Sequence, residues 1–203
     1  MTDDSVLLRA WQAGDRDAGA ELFERHYDAL ARFFFNKVSA GASADLVQST
    51  FLACVEAADR YRGEGSFKSF LFGIAHNLLR EHYRRRRSDD PVDDDRAGPS
   101  PSPSLLVGAK DEQRLLLAGL RALPAELQVV LELFYWEDMT AAEIGGAIGI
   151  PEGTAKSRLR RGREELDKQL RRLATSDQLL ASTLTRLDDW AQDLRQRIEV
   201  PEG

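Results

Sequence analysis

One cysteine, Cys54, and three histidines, His26, His76 and His82, are the only thiol and imidazole groups that this 203-residue chain offers to a metal ion. A lone cysteine excludes an intramolecular disulfide framework and every paired-cysteine zinc site, and the histidines are not spaced as ligands of one ion. Neither a metal nor a cofactor is expected. Long hydrophobic runs are missing as well: no stretch approaches the roughly 18 to 20 apolar residues that span a bilayer. The opening MTDDSVLLRAW is acidic where a secretory leader is basic. The expectation is a cytoplasmic protein with no membrane insertion.

Proline is absent from residues 1–87, and then Pro91, Pro99, Pro101 and Pro103 fall within Ser88 to Lys110 beside five aspartates. Such a stretch cannot bury enough apolar surface to offset the entropy of ordering it. It reads as a flexible acidic linker, 88–110, between a first domain, 1–87, and a second, 111–172, with an extension over 173–203. At roughly 3.3 Å per residue the linker lets the two domains sit far apart.

An excess of positive charge is also lacking. The 28 lysines and arginines face 34 aspartates and glutamates, a formal net charge of -6, which argues against a protein that coats nucleic acid indiscriminately. The charges are segregated, however. Arg84 to Arg87 form an unbroken arginine run, and Lys156, Arg158, Arg160, Arg161 and Arg163 crowd one short stretch.

What the chain does have is helical periodicity. Phe23, Tyr27, Leu30, Phe34 and Val38 recur at steps of three and four. So do Val47, Phe51, Cys54, Val55 and Ala58, and again Phe67, Phe70, Leu71, Ile74, Ala75 and Leu78. No segment alternates with period two for long enough to make a sheet, so the fold class is all-α. These stripes read as core, and Cys54 within one of them reads as a small buried hydrophobe rather than a reactive thiol.

In the second half, Pro124 leads into the apolar helix AELQVVLELFYW. Thr140 and Glu143 have the spacing of a capping box, with Met139 and Ile144 placed as its hydrophobic staple. The short helix from Ala141 must stop at Gly149, and Pro151 with Glu152 restarts a second helix containing GTAKSRLRRGREEL. Two helices joined by a tight glycine-containing turn make a helix-turn-helix. On the second helix Ala155, Leu159, Gly162, Leu166 and Leu170 line an inward face, which leaves Lys156, Ser157, Arg160 and Arg161 outward. Arginine and lysine donate two hydrogen bonds to guanine O6 and N7 in the major groove, so these four are candidate base readers. Arg158 and Arg163, on the flanks, are candidate phosphate contacts.

The first domain ends in another basic helix, on which Asn77, Arg80, Arg84 and Arg87 share a face opposite the apolar stripe. The polar loop before it, with Arg62, Gly63, Glu64, Gly65 and Ser66, can approach an unstacked base closely. A solvated helix end opposing the macrodipole explains the arginines equally well when they are taken alone.

The stretch DLVQSTFLACVEAADRYRGEGSFKSFLFGIAHNLLREHYRRRR, followed after a linker by LPAELQVVLELFYWEDMTAAEIGGAIGIPEGTAKSRLRRGREEL, resembles the sigma-70 family, in particular its two-domain extracytoplasmic-function group. The resemblance covers both domains, about residues 5–172, with the motifs in order. It implies a region 2 helical bundle over 1–87 and a region 4 helix-turn-helix over 111–172. The implied activity is that of an initiation factor, not an enzyme, which binds core RNA polymerase, recognises two promoter elements and helps to open DNA. On that likeness Asn77, Arg80, Arg84 and the loop from Arg62 to Ser66 meet the proximal element as single strand. Lys156, Ser157, Arg160 and Arg161 read the distal element as duplex.

The segment from Asp45 to Glu56 resembles the family's principal polymerase-binding helix, and here the sequence departs from pattern. Where most relatives carry an acidic cluster before LVQ and a glutamate after it, this chain has Ala42, Ser43, Ala44 and Asp45, then Ser49. Asp45, Leu46, Gln48, Ser49, Leu52 and Glu56 are the expected docking residues, on an electrostatically weakened surface. A phosphate on Ser43, Ser49 or Thr50 would add about -1.5 to -2 charge and restore pairing to basic polymerase residues. Activation by a Ser/Thr protein kinase is therefore one expectation, and sufficiency of apolar contacts with Gln48 is the other. An anti-sigma factor is a further expected partner.

After Arg172, Leu180, Leu184, Leu187, Ala191, Leu194 and Ile198 step by four and three beside Trp190, giving an amphipathic helix. It is expected to pack on the second domain as extra core, the alternatives being a mask over the recognition helix or a seat for a regulator. A stand-alone helix-turn-helix regulator is the competing reading of the whole chain, and it would bind duplex DNA tightly without polymerase. A nucleic-acid enzyme is disfavoured, because the aspartates at 89, 90 and 93–95 lie in a segment unable to hold metal-site geometry and no nucleophile sits with a base.

Overall fold

The computed structural model describes residues 3–58, 61, 65–89, 110–185 and 189, and among them every regular element is a helix. The first group is α1 (Asp4–Gln12), α2 (Arg16–Phe35), α3 (Ala40–Ala57) and α4 (Phe67–Asp89). Local side chains start the first two. Asp3 accepts a hydrogen bond from the Ser5 N–H at 2.7 Å, and Asp15 accepts from the Asp17 and Ala18 N–H groups at 3.0 and 3.1 Å, which satisfies amides that a helix start leaves open. Leu22, Leu30, Phe34, Leu71, Phe72, Ala75 and Leu79 close the core between α2 and α4. Gly19 lets α1 and α2 meet, since a Cβ there would lie 2.6 Å from the Trp11 ring.

The apolar stripes are core for the most part, with two exceptions: Tyr27 and Val55 are exposed. Both lie at the edge of a stripe, where a helix surrounded on only part of its circumference returns to solvent. Cys54 is fully buried, and burial pushes its thiol up to about 12, so it is inert as a nucleophile at neutral pH.

The second group is α5 (Asp111–Arg121), α6 (Ala125–Tyr135), α7 (Ala141–Ile148), α8 (Glu152–Leu173) and α9 (Asp177–Thr185). From Leu127 to Leu133, α6 is buried at every position, the mark of a helix surrounded by others. The capping box is formed: the Glu143 N–H donates to the Thr140 hydroxyl oxygen at 3.3 Å, and the Thr140 N–H donates to the Glu143 carboxylate at 2.8 Å. Met139 and Ile144 are buried as its staple. Gly149 ends α7 in the left-handed region at φ 73°, and the Ile150 N–H bonds the Gly145 carbonyl at 2.9 Å. That turn is tight enough that a Cβ on Gly145 would meet the Ile150 carbonyl oxygen at 2.7 Å. The inward face of α8 is buried as expected, at Ala155, Leu159, Gly162, Leu166 and Leu170.

Part of the extension packs on the second group. Thr183 is buried, Leu180 and Leu184 are half-buried, and the Ser182 hydroxyl donates to Glu112 of α5 at 2.9 Å. The positions from Leu187 onward lie outside the described residues except for Asp189, and so does the linker from 90 to 109, with α4 reaching Asp89 and Lys110 preceding α5.

The two groups also touch one another, which periodicity did not foreshadow. α4 packs on α7 and α2 on α6. At the α2–α6 seam Lys37 pairs with Glu132 and Arg32 with Glu137, all four buried.

The Thr140–Glu143 box generates a stability prediction with a defined pH dependence. The hydrogen bonds from Thr140, backbone first and then hydroxyl, hold the Glu143 carboxyl below its ordinary value. A depressed folded pKa contributes stability above the unfolded value, and that contribution is lost as pH falls through the folded one. Thr140→Ala is expected to cost about 1 kcal/mol at neutral pH, with the deficit narrowing in acid below the ordinary glutamate range. Urea unfolding across pH measures both.

Candidate nucleic-acid and docking surfaces

Three surfaces carry the expected residues, and the helices determine what each presents. On α8, the face opposite the buried stripe exposes Lys156, Ser157, Arg160 and Arg161. Lys156 is held by Glu152 at 2.6 Å and Arg160 by Glu164 at 2.8 Å, pairs one helical turn apart. Such exposed pairs contribute little to stability and exchange readily for a phosphate or a base edge. The Ser157 hydroxyl donates to the Thr154 carbonyl at 2.9 Å.

The flanking arginines are more constrained. Arg163 lies over the rings of Phe134 and Tyr135, 5.0 and 5.5 Å from their centroids, and its Nε donates to the Tyr135 hydroxyl at 2.9 Å. Stacking of that kind fixes the direction of a guanidinium. Arg158 is half-buried and pairs with Glu126 at 3.0 Å, so it faces the body of the protein.

On α4, Asn77, Arg80 and Arg84 are exposed along one stripe, as the sequence implies. Glu81 gathers Arg84 at 2.7 Å and Arg85 at 3.0 Å, and those two hydrogen bonds hold its carboxyl below its usual range. Of the preceding loop, Gly65 and Ser66 are described, Gly65 at φ 87°, with its carbonyl accepting from the Tyr61 hydroxyl at 2.9 Å. Arg62, Gly63, Glu64 and the side chain of Arg87 lie outside the described residues.

On α3, Asp45, Gln48, Ser49, Leu52 and Glu56 are exposed and Leu46 is half-buried. Leu52 at 58% and Val55 at 53% are among the most exposed large apolar side chains described. Beside them Tyr27, Ala44, Val47, Gln48, Phe51 and Leu52 line an open groove of about 350 Å³. Acidic residues are missing from the first turn of α3, so the surface is apolar with a weak negative edge.

One sequence expectation fails on this helix. Thr50 is fully buried and its hydroxyl donates to the Leu46 carbonyl at 2.7 Å, so it offers no acceptor to a kinase in the folded chain. Its β-branched side chain belongs to the inward stripe beside Val47 and Cys54, and a hydroxyl that bonds the carbonyl one turn back is a satisfied core group. Ser49 is exposed and Ser43 half-buried.

Sequence reasoning missed the polar seam between the two groups. Glu132 accepts from Asn36 Nδ2 at 3.0 Å and Gln128 Nε2 at 2.9 Å in addition to its pairing with Lys37. Arg121 Nε donates to Asn36 Oδ1 at 2.5 Å, Gln128 Nε2 to the Asn36 carbonyl at 3.1 Å, and Lys68 Nζ to the Glu137 carbonyl at 2.9 Å. The available signal was one acidic residue inside the apolar run of α6 and one lysine directly after FFFN.

A compact helical group ending in a basic helix, followed by a helix-turn-helix whose second helix carries exposed cations, is the two-region architecture of a sigma-70 protein. Family comparison agrees: the model for Sigma-70 region 2 matches residues 22–88 and that for Sigma-70, region 4 matches residues 113–166, together more than half of the chain. The chain belongs to the sigma-70 family, in its extracytoplasmic-function (ECF) group. It is 27% identical over 182 residues to the ECF RNA polymerase sigma-E factor of Escherichia coli K12, covering 84% of this chain and 95% of that protein. It is also 27% identical over 179 residues to the ECF RNA polymerase sigma factor SigW of Bacillus subtilis, covering 82% and 96%. Among solved structures, CnrH in complex with the cytosolic domain of CnrY shares the fold at TM-score 0.63 and 24% identity, over 84% of this chain and 99% of that one. The sigma factor RpoE in complex with the anti-sigma factor NepR from Bartonella quintana does so at 0.62 and 22%, over 77% and 97%.

Burial separates the α3 hydroxyls in a measurable way. Thr50→Asp, which places a carboxylate in the core, is expected to destabilise the protein by about 3 kcal/mol or more. Ser49→Asp on the exposed face should change stability by no more than about 0.5 kcal/mol. Chemical denaturation of the two variants reads the difference.

Proposed function

We propose that this ECF sigma factor docks on core RNA polymerase through α3, holds the proximal promoter element on α4 and its preceding loop, and reads the distal element with α8. The observation that carries the reading is the coexistence of three differently built surfaces on one chain: an apolar patch around Leu52 and Val55, an arginine-lined stripe on α4, and a cationic recognition helix. Protein docking favours the first, since desolvated apolar anchors dominate interface energetics. Single-stranded DNA suits the second, where Asn77 meets a base edge while Arg80 and Arg84 follow phosphates. Duplex suits the third, with Lys156, Ser157, Arg160 and Arg161 toward bases and Arg163, steered by Phe134 and Tyr135, toward phosphate. Arg158, paired to Glu126, joins them only once that pair is exchanged for a phosphate.

The same reading sets the partners. Polymerase places the protein in the cytoplasm, and among the described residues no helix is long and apolar enough to cross a membrane. An anti-sigma factor is the proposed regulator, because both solved neighbours named above are held in complexes, one with an anti-sigma factor. Kinase control, where it operates, falls to Ser43 or Ser49. Ser43 lies within a turn of the α3 N-terminus, where a phosphate is favoured by the helix dipole and adds the charge that the first turn lacks.

Run-off transcription with purified core polymerase and a genomic promoter pool tests the proposal. Leu52→Glu should weaken core binding by roughly thirtyfold or more. Arg160→Ala and Arg161→Ala should each lose about 1–3 kcal/mol of promoter discrimination while keeping core binding. Tight duplex binding by the protein alone, with no dependence of transcription on it, would instead favour the stand-alone regulator.

A further inference from the structure

α1 contributes to none of the three surfaces, yet its last residue reaches the loop that precedes α4. The side-chain amide of Gln12 donates to two backbone carbonyls there, Nε2 lying 3.0 Å from the Ala58 oxygen and 2.9 Å from the Tyr61 oxygen. Ala58 is the C-cap of α3, so its carbonyl is among those that a helix end leaves without an internal partner. Gln12 supplies that partner from another helix. Tyr61 then closes the loop on itself. Its hydroxyl donates to the Gly65 carbonyl at 2.9 Å, and its ring centroid lies 4.4 Å from that of Phe70 on α4. At the exit the Ser69 N–H donates to the Ser66 hydroxyl oxygen at 3.1 Å.

These contacts divide the work of holding the loop. The Tyr61–Gly65 bond sets its span, and the Phe70 and Ser69 contacts join it to α4. Gln12 ties its entrance to α1, which is itself a firm support. Leu7 and Leu8 are buried, Asp4 lies 2.7 Å from Arg25 and 2.6 Å from His26 Nε2, and Trp11 meets Phe23 edge-on at 5.1 Å. Gln12 is exposed, so its two hydrogen bonds add little to global stability. What they constrain is where the loop sits.

We infer that Gln12 is a positioning residue for recognition of the proximal promoter element: it holds the loop entrance against α1 through the backbone of Ala58 and Tyr61, and so presets the loop for an unstacked base. The inference rests on the assignment of that loop to the proximal element made above. The loop sequence RGEGS contains two glycines, whose freedom makes fixing the backbone entropically costly. A surface ordered in advance loses less affinity to that ordering.

Run-off transcription by holoenzyme, on a promoter recovered from the genomic pool, yields two discrimination ratios. One sets the parent promoter against a pool with its proximal element randomised, the other against a pool with its distal element randomised. Gln12→Ala keeps the last turn of α1 helical. It should lower the proximal ratio roughly fivefold, the worth of about one lost hydrogen bond, and leave the distal ratio, the core affinity and the thermal midpoint unchanged. Gln12→Glu sets a carboxylate against two carbonyl oxygens at a helix C-terminus and should lower the proximal ratio further. Gln12→Lys donates to the same carbonyls and suits the same dipole, so it should restore most of the ratio. A merely structural role would lower both ratios together and would not rank the variants by donor chemistry. Gly65→Ala is the reference, because Gly65 lies at φ 87°, where a side chain is strained, and the change disturbs the loop directly. If Gly65→Ala lowers the proximal ratio and the Gln12 variants do not, the positioning role is overturned while the loop keeps its assignment. If Gly65→Ala also leaves the ratio unchanged, the assignment of the loop to the proximal element fails, and the inference falls with it.

Discussion

Glu132 is the charge around which the two halves of this protein are organised. It sits in α6, a helix buried along its whole middle, with 2% of its surface exposed. A carboxylate in that position is tolerable only when cations and donors surround it. Its own group provides Gln128; the others, Asn36 and Lys37, come from the residues directly after α2. Lys37 depends on Glu132 in turn. Burial draws its ammonium below the ordinary lysine value, and the Glu132 carboxylate works against that pull. Removing either partner alone strands the other charge, at a cost of about 3–5 kcal/mol. Each half is thus incomplete at this point until it meets the other or meets water.

That constraint explains what was legible from the sequence and what was not. Helix periods, the Thr140–Glu143 box, the Gly149 stop and the buried face of α8 are local, since each depends on residues within two turns of one another. They could be read without knowing where the chain goes next, and so could the exposed stripes of α3, α4 and α8. Lys37 and Glu132 stand 95 positions apart, and no periodic pattern links them. Composition also pointed the other way, because a polar linker permits separation while saying nothing of whether the halves attract. Thr50 is a smaller case of the same limit. Its type suggested a modifiable hydroxyl, but its place one turn from Leu46 on the inward stripe had already committed that hydroxyl to a carbonyl.

Charge segregation does two jobs at different scales. Over the whole chain, a net charge of -6 suppresses sequence-independent attraction to DNA. Over single helices, acidic residues one turn away pair with exposed cations: Glu81 with Arg84 and Arg85, Glu152 with Lys156, Glu164 with Arg160. These exposed pairs are cheap to break. They lower the affinity of each surface for a random phosphate without removing its ability to engage an aligned one.

The same logic extends to the contact between the halves. An apolar interface of comparable extent would hold them together whatever else was bound, because hydrophobic burial is not recovered on separation. A polar seam with unmet donors returns most of its free energy as hydration when it opens. An interface of that kind is specific in register yet shallow in depth. Charged and amide groups buried against one another, rather than leucines, have both properties, and that is the chemistry found between α2 and α6.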